Sequence, residues 1–481
     1  MNFYPNNTYD NQLVQTVFGT LCIDKKRLPS SGLTQIGIPS FVAEWLLDKV
    51  VPGSGKLTSK EQEKVNQFVQ KAFPRKDERN EIHFDLTQGR TVKVIALMQV
   101  RVKLNSKAEK IPEPLAIIPA LNLTECAIPT EIIEQHKMLL RQGIWGAISL
   151  GCRPDGQIEI LHFDPFQISI LNPQNYFNYR QQFTTPAWRD LLISAMGYNS
   201  EHPYYTDEAK IWLMARLLPI VEANFHIMEL APKGTGKSFV FENISSKVKL
   251  VSGGKVTAAQ LFIDGRTKEV GLLGRHDVLV LDEVQSLTFD NPDEIIGVLK
   301  NYLASGRYNR SGFGEISSDC SLVMLANIEL TENFKPRNEN YLVGDLPDFF
   351  SETAFLDRFI GIIPGWYIPK FKNEMASHQF SLKMDYFGEI LLSLRYDNRF
   401  LNYAKEHTAF KTATVRDENA VLKSASGFLK LLYPHLELTL EDYERDCLKP
   451  ACQLRQYIRN NLYYLDDEYR AAGRELDAEA I

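Results

Sequence analysis

The chain has 481 residues, of which 44% are hydrophobic and 24% are charged, values that are ordinary for a globular protein with several cores and that exclude a long disordered chain. The formal net charge of −6 excludes a general attraction to nucleic acid, so any DNA binding requires a local basic surface. No apolar run is long enough to span a membrane, the start MNFYPNNTYDNQ lacks the layout of a signal peptide, and the six cysteines form no C-x-x-C pair. We therefore predict a cytoplasmic protein with reduced thiols, no zinc site and no membrane partner.

Residues 1–80 are predicted to be an N-terminal helical region. The segments FVAEWLLDKV and SKEQEKVNQFVQKAF, within residues 38–73, are typical of helices. The segment GSGK at 53–56 between them resembles part of a phosphate-binding loop. However, Leu57 occupies the position that requires serine or threonine, and no apolar strand precedes the segment. We therefore predict no nucleotide site there.

Residues 81–185 are predicted to be a β-rich domain, with strands beginning near residue 81. Residues 91–104 end in alternation, which places Arg101 and Lys103 on one face of a strand and apolar side chains on the other. Further apolar runs follow, and we expect an OB-like fold, a type that often binds nucleic acid. Arg101 and Lys103 are therefore candidate DNA contacts. A solvated strand face without a ligand is the alternative.

The segment HIMELAPKGTGKSF, residues 226–239, predicts a strand, a glycine-containing turn and the start of a helix. Its turn matches the phosphate-binding loop G-x-x-x-x-G-K-[ST] except at the first position, which holds alanine. Glycines let backbone N–H groups surround a phosphate, Lys237 can reach the β- and γ-phosphates, and Ser238 can hold Mg²⁺. The sequence therefore predicts ATP and Mg²⁺ as cofactors. The predicted binding residues are Ala231, Pro232, Lys233, Gly234, Thr235, Gly236, Lys237 and Ser238.

Polar residues close the next two predicted strands of the sheet. VLVLDE is a fully apolar run, typical of a central parallel strand, and it ends in Asp282 and Glu283. Open α/β sheets bind ligands at this end of their strands, so we expect Asp282 to hold Mg²⁺ and Glu283 to polarise the attacking water. The strand SLVMLAN ends in Asn327, which is predicted to orient water near the γ-phosphate.

Two arginines complete the predicted catalytic set. Arg358 lies between apolar residues in FLDRF, and we expect it to act as an arginine finger in the site of a neighbouring subunit; a surface salt bridge with Asp357 is the alternative. Arg416 stands at the start of a predicted helix, where a cation opposes the helix dipole. This conflict favours a functional role, such as a second nucleotide-sensing arginine. Residues 366–481 are predicted to be helical to the end of the chain and to form a C-terminal lid.

The order of phosphate loop, acidic strand, polar strand end and two arginines resembles that of AAA+ ATPases. A turn-rich polar hairpin within residues 306–327 resembles the pre-sensor hairpin branch, to which the MCM replicative helicases belong. Over about residues 205–435, the segments ELAPKGTGKSFVFENIS, VSGGKVTAAQLF, VLVLDEV, ASGRYNRSGFGEI and FLDRF together resemble the Lon-like AAA+ family of BREX phage-defence systems (the BrxL family). The resemblance implies an α/β fold with a parallel sheet in an AAA+ P-loop core, which we place at residues 186–365.

The resemblance also implies partners: double-stranded DNA, other BREX components, and further copies of the chain in a hexameric ring, either single or stacked as a double ring. If the polar hairpin faces the ring pore, we expect Arg307 and Arg310 to contact phosphates and Tyr308 and Phe313 to stack on bases. A solvated hairpin is the alternative. Long members of the family carry a C-terminal Lon-type protease domain; this chain resembles a short form, and we predict no peptidase activity.

Three functions are compatible with these features. The leading hypothesis is an ATP-driven ring that binds and translocates on double-stranded DNA in phage restriction. The second is a nucleotide-switched scaffold that recruits other defence factors. The third is an ATP-dependent protein remodeller, since aromatic residues on a pore hairpin also suit a polypeptide.

Overall fold

The computed structural model describes residues 9–74, 78–102, 113–166, 171–266, 268–309 and 314–481. The chain divides into two compact units. The N-terminal unit comprises Ile23–Ile170, and the ATPase-like unit comprises residues 1–22 together with Leu171–Ile481.

The N-terminal unit contains a closed barrel of five strands. The strands are β1 (Val92–Arg101), β2 (Leu115–Ile118), β3 (Leu123–Ala127), β4 (Ile144–Cys152) and β5 (Ile158–Pro165). They pair in the order β1-β2-β3-β5-β4, and β4 returns to β1; all pairs are antiparallel except β3 with β5. Alternate side chains such as Val94, Ile148 and Ile160 fill the barrel interior. A five-stranded barrel is the architecture that the OB-like prediction requires.

In chain order, helices precede the barrel strands, and the helix Thr130–Gln135 lies between two of them. The two helices predicted within residues 38–73 are present. Ser59–Ala72 begins with a capping box in which the Glu61 carboxylate accepts from the Thr58 N–H at 2.8 Å. The prediction that strands begin near residue 81 was wrong. A helix covers Arg79–Thr87, because Ile82 and Leu86 are spaced four apart and both face the barrel core. The α-helices in the described part of this unit are Arg27–Ser31, Ser40–Val50, Ser59–Ala72, Arg79–Thr87 and Thr130–Gln135.

The ATPase-like unit is built on a five-stranded parallel sheet, as predicted for an α/β fold. Its strands are β6 (Ile227–Ala231), β7 (Val248–Ser252), β8 (Val278–Asp282), β9 (Ser321–Asn327) and β10 (Gly361–Pro364), in the order β10-β6-β9-β8-β7. Every residue of β6 and β8 is buried, as expected for central strands covered on both faces. Because all five strands are parallel, their C-terminal ends share one edge of the sheet, here called the carboxyl edge, and their N-terminal ends share the opposite, amino edge.

Helices cover the faces of this sheet and form most of the C-terminal region. They are Asn11–Phe18, Pro173–Arg180, Thr185–Ala195, Asp207–Ala215, Leu218–Val221, Lys237–Asn243, Ala258–Leu261, Pro292–Ser305, Thr353–Leu356, Met384–Ser393, Arg399–Glu406, Val415–Leu432, Leu440–Tyr443, the π-helical Glu444–Leu448, Lys449–Leu465 and Asp467–Ala472. Among the helices in the described ranges, none combines the length and apolar character that a membrane span needs.

Short strands complete the ATPase-like unit. The predicted polar hairpin is present as the antiparallel pair Arg307–Tyr308 and Ile316–Ser317. The C-terminal region is not helical to its end, because Thr408–Thr412 pairs antiparallel with Asp477–Ala480. The alternating, threonine-rich TAFKT favours a strand there. In the described ranges, the remaining short strands are Cys22–Asp24, Lys255–Val256, Thr288–Phe289 and Phe380–Leu382.

Candidate nucleotide-binding site

The predicted phosphate loop connects β6 to the helix Lys237–Asn243 at the carboxyl edge. Gly234 and Gly236 have φ angles of +86° and +72°, which residues with a Cβ rarely adopt. Ala231, the departure from the motif, ends β6 in strand conformation and is not among the positive-φ residues. The alanine therefore imposes no backbone strain on the loop.

Side chains from two strand ends meet the first residues of the helix that follows this loop. The Lys237 ammonium donates to Asn327 Oδ1 at 2.5 Å, and the Ser238 hydroxyl donates to Asp282 Oδ2 at 2.5 Å. Burial lowers the pKa of Lys237, and the carboxylates of Glu229 and Asp282 oppose that shift. Ser238 and Asp282 offer the oxygen donors that Mg²⁺ prefers. The structure thus brings together the lysine, the serine, the aspartate and the asparagine that the sequence nominated.

Glu283 extends this cluster towards solvent. Its φ of +54° is left-handed, a conformation that costs a residue with a Cβ about 1–2 kcal/mol, and its N–H donates to Asp282 Oδ1 at 2.8 Å. The side chain is exposed, so water can reach its carboxylate. Gly253 and Gln285 support the neighbouring backbone: Gly253 N–H donates to the Asp282 carbonyl at 3.1 Å, and Gln285 Oε1 accepts from Asn327 N–H at 3.1 Å. Backbone strain of this kind is typical of functional sites.

A buried ion pair beneath the phosphate loop was not predicted. Arg216 and Glu229 are fully buried and form two hydrogen bonds, at 2.6 and 3.0 Å. Arg216 also donates to the Thr235 carbonyl at 3.3 Å and to the Tyr198 hydroxyl at 3.0 Å. Tyr198 in turn donates to the Gly236 carbonyl at 3.1 Å. A trans peptide points its N–H opposite to its C=O, so two carbonyls held from below turn the N–H groups of the same peptides outwards.

The sequence does carry a signal for these supporting residues. Glu229 interrupts the otherwise apolar strand IMELA, and Arg216 interrupts the apolar run WLMARLL. A charge inside a strand covered on both faces needs a buried partner of opposite sign. Burial alone would lower the pKa of Arg216, but the adjacent Glu229 more than reverses this and raises it.

The two predicted arginines lie at the opposite, amino edge. Arg358 precedes β10, and Ile360 N–H donates to the carbonyl of His226, which precedes β6. Arg358 and Arg416 line one cavity of about 240 Å³ there. Because β6 has five residues, the two edges are about 13 Å apart, at about 3.3 Å per residue. Neither arginine therefore joins the phosphate loop of its own chain.

Asp357 organises this amino-edge cavity. Its carboxylate accepts from Arg455 at 2.5 Å, from the Tyr469 hydroxyl at 2.7 Å and from Arg416. Burial opposes ionisation, but these donors outweigh it and lower the pKa of Asp357. The alternative in which Asp357 pairs with Arg358 is not what forms; Arg358 donates to the Ala354 carbonyl instead.

Three buried polar atoms that line or adjoin the cavity have no hydrogen-bond partner within the described part of the chain. They are Arg358 Nε, His226 Nε2 and Asn224 Oδ1. Burial and the nearby Arg416 both lower the pKa of Arg358. Asn224 Oδ1 is an acceptor, whereas Arg358 Nε is a donor without a partner and lies beside a second cation, Arg416. An unsatisfied buried arginine donor next to another arginine favours an anionic ligand from outside this chain.

The predicted DNA contacts on the hairpin differ in their exposure to solvent. Arg307 on the hairpin is 60% exposed and lies 3.4 Å from Glu315. Tyr308 is 1% exposed and packs against Phe262 and Tyr302, with ring centroids 5.4 and 5.8 Å away, and burial raises its pKa to about 12. A ring enclosed in the core does not suit base stacking, so we withdraw Tyr308 as a DNA contact.

Of the other four predicted contacts, one lies on the barrel and three lie outside the described residues. Arg101 ends β1 in a partly buried position opposite Leu115. Lys103, Arg310 and Phe313 lie outside the described residues. Within the described ranges, no group of three or more histidine, cysteine, aspartate or glutamate side chains could hold a metal ion.

Comparison with known proteins identifies both units. Residues 158–475 match the family model described as "Lon-like protease BrxL-like, ATPase domain". Residues 16–152 match "BREX system Lon protease-like protein BrxL N-terminal".

Two relatives that align with most of the chain carry the name BrxL as well. This chain is 29% identical over 432 residues to "Lon-like protease BrxL" of Escherichia coli O9:H4 (strain HS). It is 30% identical over 433 residues to the protein of the same name from Bacillus cereus (strain H3081.97). Both alignments cover 88% of this chain but only 60% and 62% of the relatives' length. A shorter match, 28% identical over 203 residues, covers 37% of this chain and 48% of "Uncharacterized protein ORF426" of Acidianus filamentous virus 1. The chain therefore belongs to the BrxL-like family of BREX systems and carries the ATPase domain of that family.

Proposed function

We propose that this chain hydrolyses ATP at a site shared between neighbouring copies and uses the cycle to bind and translocate on double-stranded DNA within a BREX system. The observation that carries the proposal is the separation of the site into two halves. The phosphate loop and acidic strand end lie at the carboxyl edge, and both predicted arginines lie at the amino edge.

The carboxyl-edge half has the groups that phosphoryl transfer requires. Lys237 approaches the β- and γ-phosphates by exchanging its hydrogen bond to Asn327 for phosphate oxygens. Ser238 and Asp282 would hold Mg²⁺, which neutralises charge developing on the phosphates. Glu283 accepts a proton from, or polarises, the attacking water, and Asn327 orients it.

The amino-edge half supplies the arginine finger, which the carboxyl-edge half lacks. An arginine finger stabilises the charge of the transition state, and here about 13 Å of β-strand separates Arg358 and Arg416 from their own loop. Both can act only on a nucleotide held by a second copy. Head-to-tail contacts that place one copy's amino edge on the next copy's carboxyl edge generate a ring when the rotation closes. We expect that ring to be a hexamer, single or stacked.

Local basic groups on the hairpin and barrel support the DNA part of the proposal. Arg307 is an exposed cation on a hairpin, and its exposed ion pair with Glu315 is weak enough to yield to a phosphate. Arg310 and Lys103 remain predicted phosphate contacts, and Phe313 a predicted stacking residue. A barrel of the OB-like type with Arg101 at a strand end provides a second surface for nucleic acid.

Mixing two inactive variants tests the shared site. Lys237→Ala removes the phosphate-binding lysine, and Arg358→Ala removes the finger; each alone should abolish turnover. If the site is shared, an equimolar mixture places an intact loop against an intact finger at about one quarter of random interfaces, so activity returns. If each chain uses its own arginine, the mixture stays inactive and the shared site is refuted.

Adding duplex DNA to the wild-type protein tests the DNA part of the proposal. We expect DNA to raise ATP turnover several-fold and Lys237→Ala to abolish the rise. Replacing Arg307 and Arg310 by alanine should weaken DNA binding and flatten its salt dependence. Turnover that ignores DNA but rises with unfolded protein would support the remodeller instead, and slow turnover that neither changes would support the scaffold.

A further inference from the structure

We propose that Phe334 and Val415 are the apolar anchors of the head-to-tail interface between copies of this chain. The inference rests on the proposed function, because a shared ATP site determines which two edges meet. It adds the side chains that hold those edges together.

Phe334 is exposed and strained at the same time. It is 78% exposed and has a φ of +58°, a left-handed conformation that a bulky residue rarely adopts. Its turn is well defined: Phe334 N–H donates to the Thr331 carbonyl at 3.0 Å, and Thr331 N–H donates to the Lys335 carbonyl at 2.8 Å. Glycine or asparagine would suit this backbone better. Within one copy, Phe334 therefore combines backbone strain with a mostly exposed apolar ring.

The turn that presents Phe334 starts at the carboxyl edge. Asn327 ends β9 beside the phosphate loop, and Ile328 N–H donates to the carbonyl of Ala231, the last residue of β6. A bridge between Leu330 and Pro336 then closes the turn. Phe334 is thus presented by the segment that immediately follows the predicted water-orienting residue.

Val415 occupies the corresponding place at the amino edge. It is the first residue of the helix Val415–Leu432, is 73% exposed, and directly precedes Arg416, which binds Asp357 in the arginine cavity. The Thr414 hydroxyl accepts from the Asp417 N–H at 3.3 Å, so the helix start is capped and its geometry is fixed.

These two side chains have the highest exposure among the large apolar side chains of the described residues; Ile36 follows at 62%. One accompanies each half of the proposed ATP site. When the carboxyl edge of one copy meets the amino edge of the next, both side chains enter the same heterologous interface. Large apolar residues at the centre of such an interface carry much of its binding energy. The occupant that covers Phe334 and Val415 is therefore a second copy of this chain.

Two substitutions separate assembly from folding. Phe334→Gly removes the ring and relieves the left-handed backbone, so the melting temperature should stay the same or rise. Val415→Ala removes apolar surface at a capped helix start. With a non-hydrolysable ATP analogue, sedimentation velocity should show half-assembly at a concentration at least about tenfold higher for Phe334→Gly, with a smaller shift for Val415→Ala. Phe84→Ala and Ile36→Ala, at 58% and 62% exposed positions of the N-terminal unit, should leave assembly unchanged.

A mixture of the two variants adds a stricter test. A Phe334→Gly chain keeps an intact amino edge and a Val415→Ala chain an intact carboxyl edge, so their mixture should form dimers but few larger assemblies. Wild-type assembly by both variants, or equal losses in the Phe84 and Ile36 controls, would overturn the proposal. If Phe334→Gly lowers the melting temperature, Phe334→Asn replaces it, because asparagine tolerates the same φ.

The activity-complementation experiment distinguishes the two levels of the inference. If Lys237→Ala and Arg358→Ala complement each other while Phe334→Gly and Val415→Ala assemble normally, the shared site stands and the anchors are refuted. If complementation fails, the shared site is refuted whatever the assembly data show.

Discussion

Two loops of this chain read Gly-x-Gly-Lys, at residues 53–56 in the N-terminal unit and 234–237 at the carboxyl edge. They also share backbone conformation and a supporting arginine. In both, each glycine has a positive φ: 142° and 80° in the first loop, 86° and 72° in the second. In both, a buried arginine donates to loop carbonyls: Arg27 to those of Ser54 and Gly55, and Arg216 to that of Thr235.

The two loops differ in what surrounds them. The N–H of Gly55 donates to the Asp24 carboxylate at 2.7 Å, so an anion of the protein already occupies the place that a phosphate would take. Lys56 is exposed, whereas Lys237 is buried against Asn327. Leu57 packs inward where Ser238 binds Asp282. The comparison teaches that a phosphate loop is defined by the strand ends around it as much as by its own glycines.

The largest effect that sharpens this comparison should come from the two lysines. Lys237→Ala removes the cation that is predicted to reach the β- and γ-phosphates, and ATP turnover should fall at least about 100-fold, the loss typical of a group that stabilises transition-state charge. Lys56→Ala should leave turnover and nucleotide affinity within error of wild type. Steady-state hydrolysis and fluorescent-nucleotide titration measure both.

A matched control guards this result against loss of fold. Melting temperatures of both lysine variants should agree with that of wild type, since neither lysine belongs to a buried ion pair. A clear loss of ATP turnover in Lys56→Ala would refute the assignment of residues 53–56 as a loop without nucleotide.

The next effect concerns the arginines beneath the loops. Arg216→Met leaves Glu229 buried without its partner, and the free energy of unfolding should fall by about 3–5 kcal/mol. Arg27→Met should cost less, because its partner Glu61 is 28% exposed and water can solvate the carboxylate. Urea denaturation of the two variants measures the difference.

A double variant tests the cause of that loss. Arg216→Met combined with Glu229→Leu removes both charges and should recover much of the stability, as replacing a whole buried pair often does. Phosphate binding should not recover, because the Thr235 carbonyl still lacks its donor. No recovery of stability would mean that packing, not the unpaired charge, dominates.

Much of the sheet and of the site followed from local pattern. Apolar runs ending in Asp282 and Asn327 predicted parallel strands whose ends meet, and the hydrogen bonds to Ser238 and Lys237 confirm that arrangement. The predicted start of the β-rich region was wrong: strands were expected from about residue 81, but Arg79–Thr87 is a helix.

Burial at longer range could not be predicted from pattern alone. Tyr308 alternates with polar neighbours on a short hairpin, yet contacts with distant Phe262 and Tyr302 enclose it. Arg216 directly follows the helix Asp207–Ala215, 19 residues before Thr235, and only the tertiary structure places it beneath the loop. Such contacts depend on tertiary structure, which short-range spacing does not encode.

The smallest effect concerns the Tyr198 hydroxyl, which supports the second loop from outside it. Tyr198 is buried, accepts from Arg216 and donates to the Gly236 carbonyl at 3.1 Å. Tyr198→Phe keeps the ring but removes one hydrogen-bond donor to that carbonyl, which belongs to the N-cap residue of the helix Lys237–Asn243. The cost is about 1 kcal/mol, which corresponds to about fivefold weaker nucleotide binding if the cost falls on loop order. Nucleotide affinity should therefore fall while the melting temperature changes little. If affinity is unchanged and only stability falls, Tyr198 supports the fold and not the orientation of the loop, and the outward N–H groups depend on Arg216 alone.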